Sequence, residues 1–333
     1  GSHMQPSAAQ IGLRVSIRLH DPSGGFRDLL GTLESENTVK KKDGTVITFD
    51  PVGADRTLAP MVIESFESVC LPFSMEVYTY YYPGFFDDNY RVTGSEWKLI
   101  KQAKPRNKVH YQPRIPADGY YEQNNLERCK SQITLAQTYG IRGFMICYYW
   151  DFETSSPVMH EVLEQMMKAM EGTTFKFNIM WVLRLPHRIL PIEEGTYGKY
   201  HNHPWFKKRI QSYRNDPRFL NEIKRITSHP NYRKDSEGRP LLQLYSVSEL
   251  IDLHGAEVNK LLEDFNAYHL QAVCGRSDDW IADASSLGIQ SLTSYVTLVD
   301  FNSPKVLLQH AACVAEQSTV WNNIQQQTSI PFY

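Results

Sequence analysis

Residues 76–83 read EVYTYYYP, and residues 139–151 read YGIRGFMICYYWD. Both runs are almost continuously apolar and end in aromatic residues, which is typical of strands covered on both faces. Between them, residues 125–139 keep apolar side chains at helical spacing up to Gly140, a common helix stop. The order strand, loop, helix, strand predicts a βαβ unit, whose chemistry gathers on the loops that leave the carboxyl ends of the strands.

Four motifs of this stretch occur in the order found in one group of proteins. They are YYPGFFDDN, SEWKLIKQAKPR, HYQPRIPADGYY and YGIRGFMICYYW. Together they resemble the glycoside hydrolase family 99-like domain and the related WbsX-type glycosyltransferase domain, over about residues 74–333. The resemblance implies an α/β fold of the TIM-like (β/α) barrel type. It also implies action on a polysaccharide or oligosaccharide at the carboxyl-end face of the strands.

The rest of this region alternates predicted strands and helices. We predict strands near 175–183, 239–247, 270–274 and 289–296, and helices near 158–171, 217–227, 256–268 and 304–317. The final residues, SIPFY, resemble the start of a seventh strand. A closed barrel needs eight strands, so we expect a barrel that is incomplete at the C-terminus, closes another way, or pairs with a second copy.

The N-terminal part predicts a separate small module. Alternating apolar residues from Leu13 and the Asp43-Gly44 hairpin signal predict four or five short strands. Their pattern resembles an SH3-like barrel, which would bind a partner or dock on the larger domain. The expected organisation is a leader at 1–11 that begins with the vector-like GSHM, a small all-β SH3-like barrel at 12–60, and the (β/α) barrel at 74–333.

The composition of the chain limits the classes of partner and cofactor that it is expected to bind. The 333 residues carry a net charge of -2, so no electrostatic argument favours nucleic acid or an anionic membrane. The chain has no apolar run of about 18 residues, so no membrane span is expected. Five widely spaced cysteines predict buried free thiols, which slightly favours the cytoplasm. His201 and His203 lack a third ligand at a telling spacing, so neither a metal nor another cofactor is expected.

Glycoside chemistry requires an acid that protonates the leaving oxygen and a base or nucleophile across the sugar ring. We predict these groups among four carboxylates on strand-end loops: Asp88, Glu96, Asp151 and Glu194. For Glu96, a position in the first turn of a helix capped by Thr93 or Ser95 is an equal alternative. For Glu194, an exposed loop is the alternative.

The predicted sugar-binding residues are amides, imidazoles, aromatic rings and one guanidinium, which donate to hydroxyls or stack on sugar faces. They are Asn89, Trp97, His110, Gln112, Tyr121, Tyr149, Trp150, Trp181, Arg184 and His187. By resemblance, Asp88-Asn89, Glu96-Trp97, and His110 with Gln112 occupy family motif positions. Trp150 beside Asp151 offers a stacking ring next to an acid. Core packing and helix capping are the alternatives for these side chains.

The end of the third strand departs from the family pattern. WbsX-like members carry Trp-Ala-Asn-Glu, whereas this chain has Trp181-Val182-Leu183-Arg184. Leucine cannot transfer a proton, and arginine stays protonated. Glu193, Glu194 or His187 would then supply the acid, or Arg184 and Arg188 would bind an anionic group such as a sugar-nucleotide diphosphate.

Three functional hypotheses follow. The first is a metal-independent, glycoside hydrolase-like protein that acts on a glycan through carboxylate acid–base chemistry. The second is a catalytically degenerate glycan-binding or assembly module, and the third is a glycosyltransferase that uses a sugar nucleotide. The departure at Leu183 and Arg184 leaves enzymatic activity open, and association with a second copy or with a partner of the small barrel is expected as well.

Overall fold

The computed structural model describes residues 11, 14–20, 26–48, 63–68, 76–87, 95–105, 108, 113, 115–185, 213, 215–245, 247–275, 278–295 and 310–333. The chain divides into two compact units, residues 1–76 and residues 77–333. Each unit has its own sheet.

The first unit is a five-stranded antiparallel sheet with the order β4-β3-β2-β1-β5. The Asp43 carboxylate accepts the Thr45 backbone N–H at 2.9 Å, and Gly44 takes a positive φ of 86°, as the hairpin signal predicts. The small module was expected to end at residue 60. β5 lies beyond that residue, but it pairs with β1 and therefore belongs to the same sheet. The strands are β1 (Arg14–His20), β2 (Phe26–Ser35), β3 (Thr38–Lys40), β4 (Val46–Thr48) and β5 (Ile63–Ser68).

The second unit is an α/β layer structure around a parallel sheet with the order β12-β11-β10-β9-β7-β6; the short β8 pairs antiparallel with β7. Parallel pairing of β6 with β7 gives the expected βαβ unit. The strands are β6 (Val77–Tyr81), β7 (Ile141–Asp151), β8 (Ser156–Val158), β9 (Lys176–Val182), β10 (Leu241–Tyr245), β11 (His269–Val273) and β12 (Ser291–Thr293).

Helices follow the strands as the βα pattern requires. Asn125 caps α2 by accepting the Arg128 N–H, and Asp216 caps α4 by accepting the Arg218 N–H. The α-helices of the described residues are α1 (Glu96–Lys101), α2 (Leu126–Thr138), α3 (Glu161–Met170), α4 (Pro217–Thr227), α5 (Val247–His254), α6 (Val258–Leu262) and α7 (His310–Gln327). Three 3₁₀ turns accompany them, at Gly255–Glu257, Glu263–Phe265 and Asp279–Asp283.

The parallel sheet is strongly curled. Tyr80 on the edge strand β6 and Tyr295, just after the opposite edge strand β12, have ring centroids 4.7 Å apart. In a flat sheet, five strand spacings would separate these strands by about 24 Å. Pairings between the described residues do not join the two edges, so the architecture is a TIM-like half-barrel, and a closed barrel stays a prediction.

Strand alternation gives the sheet an inner face and a helix-covered outer face. The Tyr81 hydroxyl donates to Gln132 of α2 at 2.6 Å, so Tyr81 lies on the outer face. Tyr80, its neighbour in sequence, points to the inner face and contacts Tyr295. Because both faces are buried, the strand sequences do not alternate in polarity.

Two predicted helices are wrong in their bounds. The expected helix at 256–268 begins earlier, as α5 at Val247, and Gly255 interrupts it with a positive φ of 53°. The last helix, expected at 304–317, continues to Gln327.

The C-terminal residues run beside β12: Leu292 N–H donates to the Pro331 carbonyl at 2.8 Å, and Tyr333 N–H donates to the Leu292 carbonyl at 2.9 Å. SIPFY therefore pairs as the start of a seventh strand does.

Cys129, Cys147 and Cys274 are buried free thiols, and burial raises the pKa of each to about 12. Among the helices that the structure describes, none is long and apolar enough to cross a membrane.

Candidate functional site

Glu96 lies at the carboxyl-end side of the first parallel strand, at the first position of α1, and is only 6% exposed. The Tyr82 hydroxyl donates to Glu96 Oε1 at 3.1 Å. Gly84 makes room for this tyrosine, since a Cβ at Gly84 would lie 2.3 Å from the Tyr82 ring. The preceding Ser95 makes no side-chain cap bond. Glu96 therefore lies in the first turn of a helix, as the alternative expected, and its carboxylate is buried and held by a phenol.

The loop after β6 is fixed by Gln123. Its side chain accepts the Phe85 N–H at 2.9 Å and donates to the Tyr82 carbonyl at 3.0 Å. A second tie joins the Asp87 N–H to the Glu122 carboxylate at 2.8 Å. These bonds tie the described part of the loop to Glu122 and Gln123.

Trp97 and Tyr121, two predicted sugar-binding residues, pack together with ring centroids 5.3 Å apart. Trp97 is 6% exposed, and its indole N–H donates to the Tyr121 carbonyl. Tyr121 is half-buried, and the Arg128 guanidinium lies 4.5 Å from its ring centroid. In this arrangement Trp97 supports the loop, and Tyr121 has the more accessible ring.

Five tyrosines form a group on the inner face near the carboxyl ends of the strands, and we name it the tyrosine cluster. Tyr149 lies beside three of the others, and the Tyr295 ring contacts two of them, with centroids 4.7 Å and 5.7 Å away. The cluster consists of Tyr80, Tyr82, Tyr149, Tyr245 and Tyr295. Sequence reasoning named only Tyr149. The sequence signal for the other four is the recurrence of tyrosine near strand ends. Tyr80 and Tyr82 occupy alternate positions at the end of the first parallel strand, and Tyr245 and Tyr295 lie at the ends of two later strands.

Three members of the tyrosine cluster, Tyr80, Tyr149 and Tyr295, stay protonated at neutral pH because burial raises the pKa of each. Burial raises the pKa of Tyr149 well above its usual range, and the neighbouring Cys147 and tyrosines raise it further. Burial also raises the pKa of Tyr295 to about 12. Neutral phenols can donate to and accept from sugar hydroxyls, and their rings can stack on sugar faces.

Trp150 and Trp181 lie on the outer face of the sheet, packed against the helices. Trp150 is 4% exposed, its indole N–H donates to Asp216 at 3.3 Å, and its ring centroid lies 5.5 Å from that of Phe219. Trp181 is 3% exposed and packs on Phe219 and Phe265. The structure therefore favours core packing, the alternative to sugar stacking, for both tryptophans.

Asp151, the last residue of β7, organises the turn into β8. Its Oδ1 accepts the Glu153 N–H at 2.8 Å and the Thr154 N–H at 3.4 Å. The carboxylate therefore closes a local turn of the Asx type, and a catalytic role for it stays a prediction.

The end of the third parallel strand carries an apolar side chain and an ion pair. Leu183 is 3% exposed, belongs to the hydrophobic core and lines a small apolar cavity with Trp181, Leu244 and Leu250. Arg184 pairs with Glu249, which lies in the first turn of α5. Glu249 is a carboxylate on the strand-end side that sequence reasoning missed, because the pair joins residues far apart in the chain.

Six predicted site residues lie outside the described residues, and their roles stay predictions. They are Asp88, Asn89, His110, Gln112, His187 and Glu194, and the alternatives Arg188 and Glu193 lie outside as well. Within the part of the chain that the structure describes, no three His, Cys, Asp or Glu side chains are grouped as metal ligands.

These features define an α/β protein with a half-barrel sheet and a phenol- and carboxylate-lined face at its strand ends. The family described as "Glycosyltransferase WbsX" matches residues 77–327. The chain belongs to this family, which confirms the predicted resemblance.

The curated relatives include "Uncharacterized protein WxcX" of Xanthomonas campestris pv. campestris, 26% identical over 154 residues in strain B100 and 25% identical in strain ATCC 33913. The alignments cover 45% of this chain, which spans only 20% of the length of these relatives. A solved endo-alpha-mannosidase of glycoside hydrolase family 99 from Bacteroides thetaiotaomicron is 10% identical, with a TM-score of 0.44, covering 77% of this chain and 69% of its own. A second solved structure, "Glycoside hydrolase-like protein", is 12% identical, with a TM-score of 0.40, covering 76% and 64%.

Proposed function

We propose that this chain binds and cleaves a glycan at the strand-end face of its second unit, with Glu96 as the acid–base group. The observation that carries the proposal is the buried Glu96 carboxylate, which accepts a hydrogen bond from Tyr82 of the tyrosine cluster. A buried carboxylate next to neutral hydroxyls suits proton transfer to a glycosidic oxygen better than an exposed one does.

In hydrolysis, the protonated acid gives its proton to the leaving oxygen, and water adds to the anomeric carbon after losing a proton to a base. Asp88 and Glu194 remain candidates for the second carboxylate. Glu249 is a further one, because it lies in the helix that follows the fourth strand of the parallel sheet. Its ion pair with Arg184 would keep it ionised, as a base requires.

The second candidate is a glycan-binding module without turnover. The burial of Leu183 among apolar side chains favours it, because the third strand then ends without a proton-transfer group. A sugar-nucleotide transferase is less favoured, since the guanidinium of Arg184 is already paired with Glu249 and is therefore less available for a diphosphate.

A glycan array combined with product analysis separates these roles, with UDP as the nucleotide probe. The first proposal expects binding and product formation by the wild-type chain, and loss of product in Glu96→Gln. As a matched control, Glu237→Gln changes an exposed glutamate on the turn that precedes β10, at the opposite end of the strands, and should retain activity. Binding without product would favour the second role. UDP binding that Arg184→Gln abolishes would favour the transferase.

A further inference from the structure

The outer layer of the second unit contains a cleft that is separate from the strand-end face. It lies between α5, the Gly255–Glu257 turn and α6 on one side, and the Asp279–Asp283 turn on the other. Its volume is about 450 Å³, within the range of small-molecule sites. Neither Glu96 nor any residue of the tyrosine cluster lines it.

The cleft has an apolar wall and a polar rim. Val258, Trp280 and Leu287 are buried and form the wall. Asn259, Asp279 and Asp283 are exposed and form the rim. The two sides together match a sugar ring, which has C–H faces that pack on apolar groups and edge hydroxyls that bind polar ones.

The charge of the rim selects among ligands. Asp279 and Asp283 bring two carboxylates, and no lysine, arginine or histidine is found among the described residues that line the cleft. A phosphate, a sugar-nucleotide diphosphate or a uronic acid would meet like charge. A neutral saccharide would instead donate its hydroxyls to the carboxylates, which makes strong, charge-assisted hydrogen bonds.

Trp280 adds an independent observation. It is 4% exposed, and its indole N–H is buried without a hydrogen-bond partner among the described residues. A buried unpaired donor is uncommon in native proteins and calls for an explanation. The donor itself lies below the surface, but the Trp280 side chain forms part of the wall of the cleft, so a molecule bound there would change its surroundings.

We propose that this cleft is a second saccharide site, which binds a neutral sugar unit without cleaving it. The proposal goes beyond the proposed reaction and does not depend on it. A second site of this kind would hold a long glycan to the protein while another part of that glycan occupies the strand-end face, which raises its effective concentration there.

The test follows the Trp280 side chain directly. The chain is labelled with fluorotryptophan, and the Trp280 resonance is assigned with Trp280→Phe or, if that variant does not fold, by the shift that Asp279→Asn causes in the neighbouring indole. Maltose, cellobiose, lactose and UDP are then titrated separately. We expect at least one of the disaccharides to shift the Trp280 resonance and UDP to leave it unchanged.

Substitutions at the rim identify the site. Asp283→Asn should weaken disaccharide binding about tenfold or more, the usual effect of losing a hydrogen bond to a charged group. Asp252→Asn changes an exposed aspartate of α5 outside the cleft and should leave the affinity unchanged. Glu96→Gln should also leave it unchanged, so failure of this proposal and failure of the proposed reaction are distinguishable.

Three results would overturn the proposal. The first is a Trp280 resonance that none of the disaccharides moves, and the second is a shift caused by UDP. The third is disaccharide binding that Asp283→Asn leaves at full strength.

Discussion

Glu96 is the residue on which the proposed chemistry depends. Its carboxylate is buried but accepts a hydrogen bond from Tyr82, and that bond favours the charged form, whereas burial opposes it. Such opposed influences are what tune a carboxylic acid for proton transfer. Two nearby residues support this arrangement. Gly84 makes room for the Tyr82 ring, and Gln123 fixes the loop through its hydrogen bonds.

Tyr82→Phe isolates the phenol hydroxyl. The ring would keep its edge contact with Phe85, but the bond to Glu96 would be lost. Because a single hydrogen bond contributes about 0.5–1.5 kcal/mol, we expect glycan affinity to fall about three- to tenfold. The alkaline limb of any pH–rate profile should move to higher pH, because Glu96 must be protonated to act as the acid and its charged form loses a donor. Calorimetry and pH–rate measurements check both effects, and unchanged values would exclude a functional Tyr82–Glu96 pair.

At the same scale, the sequence predicts the identity of several site residues better than their orientation. Trp150 and Tyr149 are neighbours, and both look suitable for stacking. Only the fold shows that Tyr149 faces inward while Trp150 faces α4. Strands buried on both faces carry no polar alternation, so the sequence holds no signal that distinguishes the two sides.

At the scale of elements, a chain of hydrogen bonds crosses four parallel strands on the inner face. Asn178 of β9 donates to Gln243 of β10 at 3.0 Å, and Gln243 donates to Gln271 of β11 at 2.8 Å. Gln271 then donates to Ser291 of β12 at 3.1 Å. All four residues are almost fully buried, so the chain ties the strands of the half-barrel together.

Gln243→Leu should break this chain in the middle. The change keeps a similar volume but leaves the Asn178 donor and the Gln271 acceptor unpaired in the interior. We expect the free energy of unfolding to fall by about 2–4 kcal/mol. Gln137→Leu, on the exposed side of α2, is the matched control and should change it by less than about 0.5 kcal/mol. Urea unfolding measures both, and equal effects would contradict the structural role of the chain.

The series of hydrogen bonds across the sheet continues from Ser291 through His269 to the carboxylate of Asp235. His269 is 2.8 Å from Ser291 through Nε2 and 3.1 Å from Asp235 through Nδ1, and Arg239 donates to Asp235 at 2.8 Å. Burial raises the pKa of Asp235, but hydrogen bonds from the Arg239 and Glu237 backbone and from the His269 and Arg239 side chains more than offset it. The pKa therefore lies below its usual value.

Asp235→Asn tests this end of the chain through pH. Because the pKa of Asp235 is lower in the folded state, its stabilisation is present above the unfolded value of about 3.9 and is lost as pH falls through the folded value. The unfolding free energies of wild type and variant should therefore differ most at neutral pH and converge below about pH 4. A difference that stays constant over this range would contradict the assignment.

Element order was predictable, whereas several bounds were not. The strand and helix sequence of the second unit follows from apolar periodicity, and β7 and α4 have almost the expected bounds. The polar chain across β9 to β12 was not visible, since its members become neighbours only through strand register. The Arg184–Glu249 ion pair could not be predicted from the sequence for the same reason.

At the scale of the whole molecule, the proposed reaction belongs to the second unit alone. Every residue of the described strand-end face lies beyond residue 76, where the first unit ends. A chain that begins at residue 77 should therefore fold and bind glycan with the affinity of the full chain. Near-ultraviolet circular dichroism and calorimetry check this expectation. A folded but non-binding fragment would show that the small antiparallel module contributes to the site.

The most direct measurement of the central claim is hydrogen–deuterium exchange of the chain with and without the glycan that binds it best on the array. We predict slower exchange in peptides that contain Tyr82 and Glu96, and in those that contain Tyr149 and Tyr295. We predict no change in the five-stranded sheet of the first unit. Unchanged exchange around Glu96 and Tyr149 in the presence of a saturating glycan would contradict the assignment of the strand-end face as the glycan site.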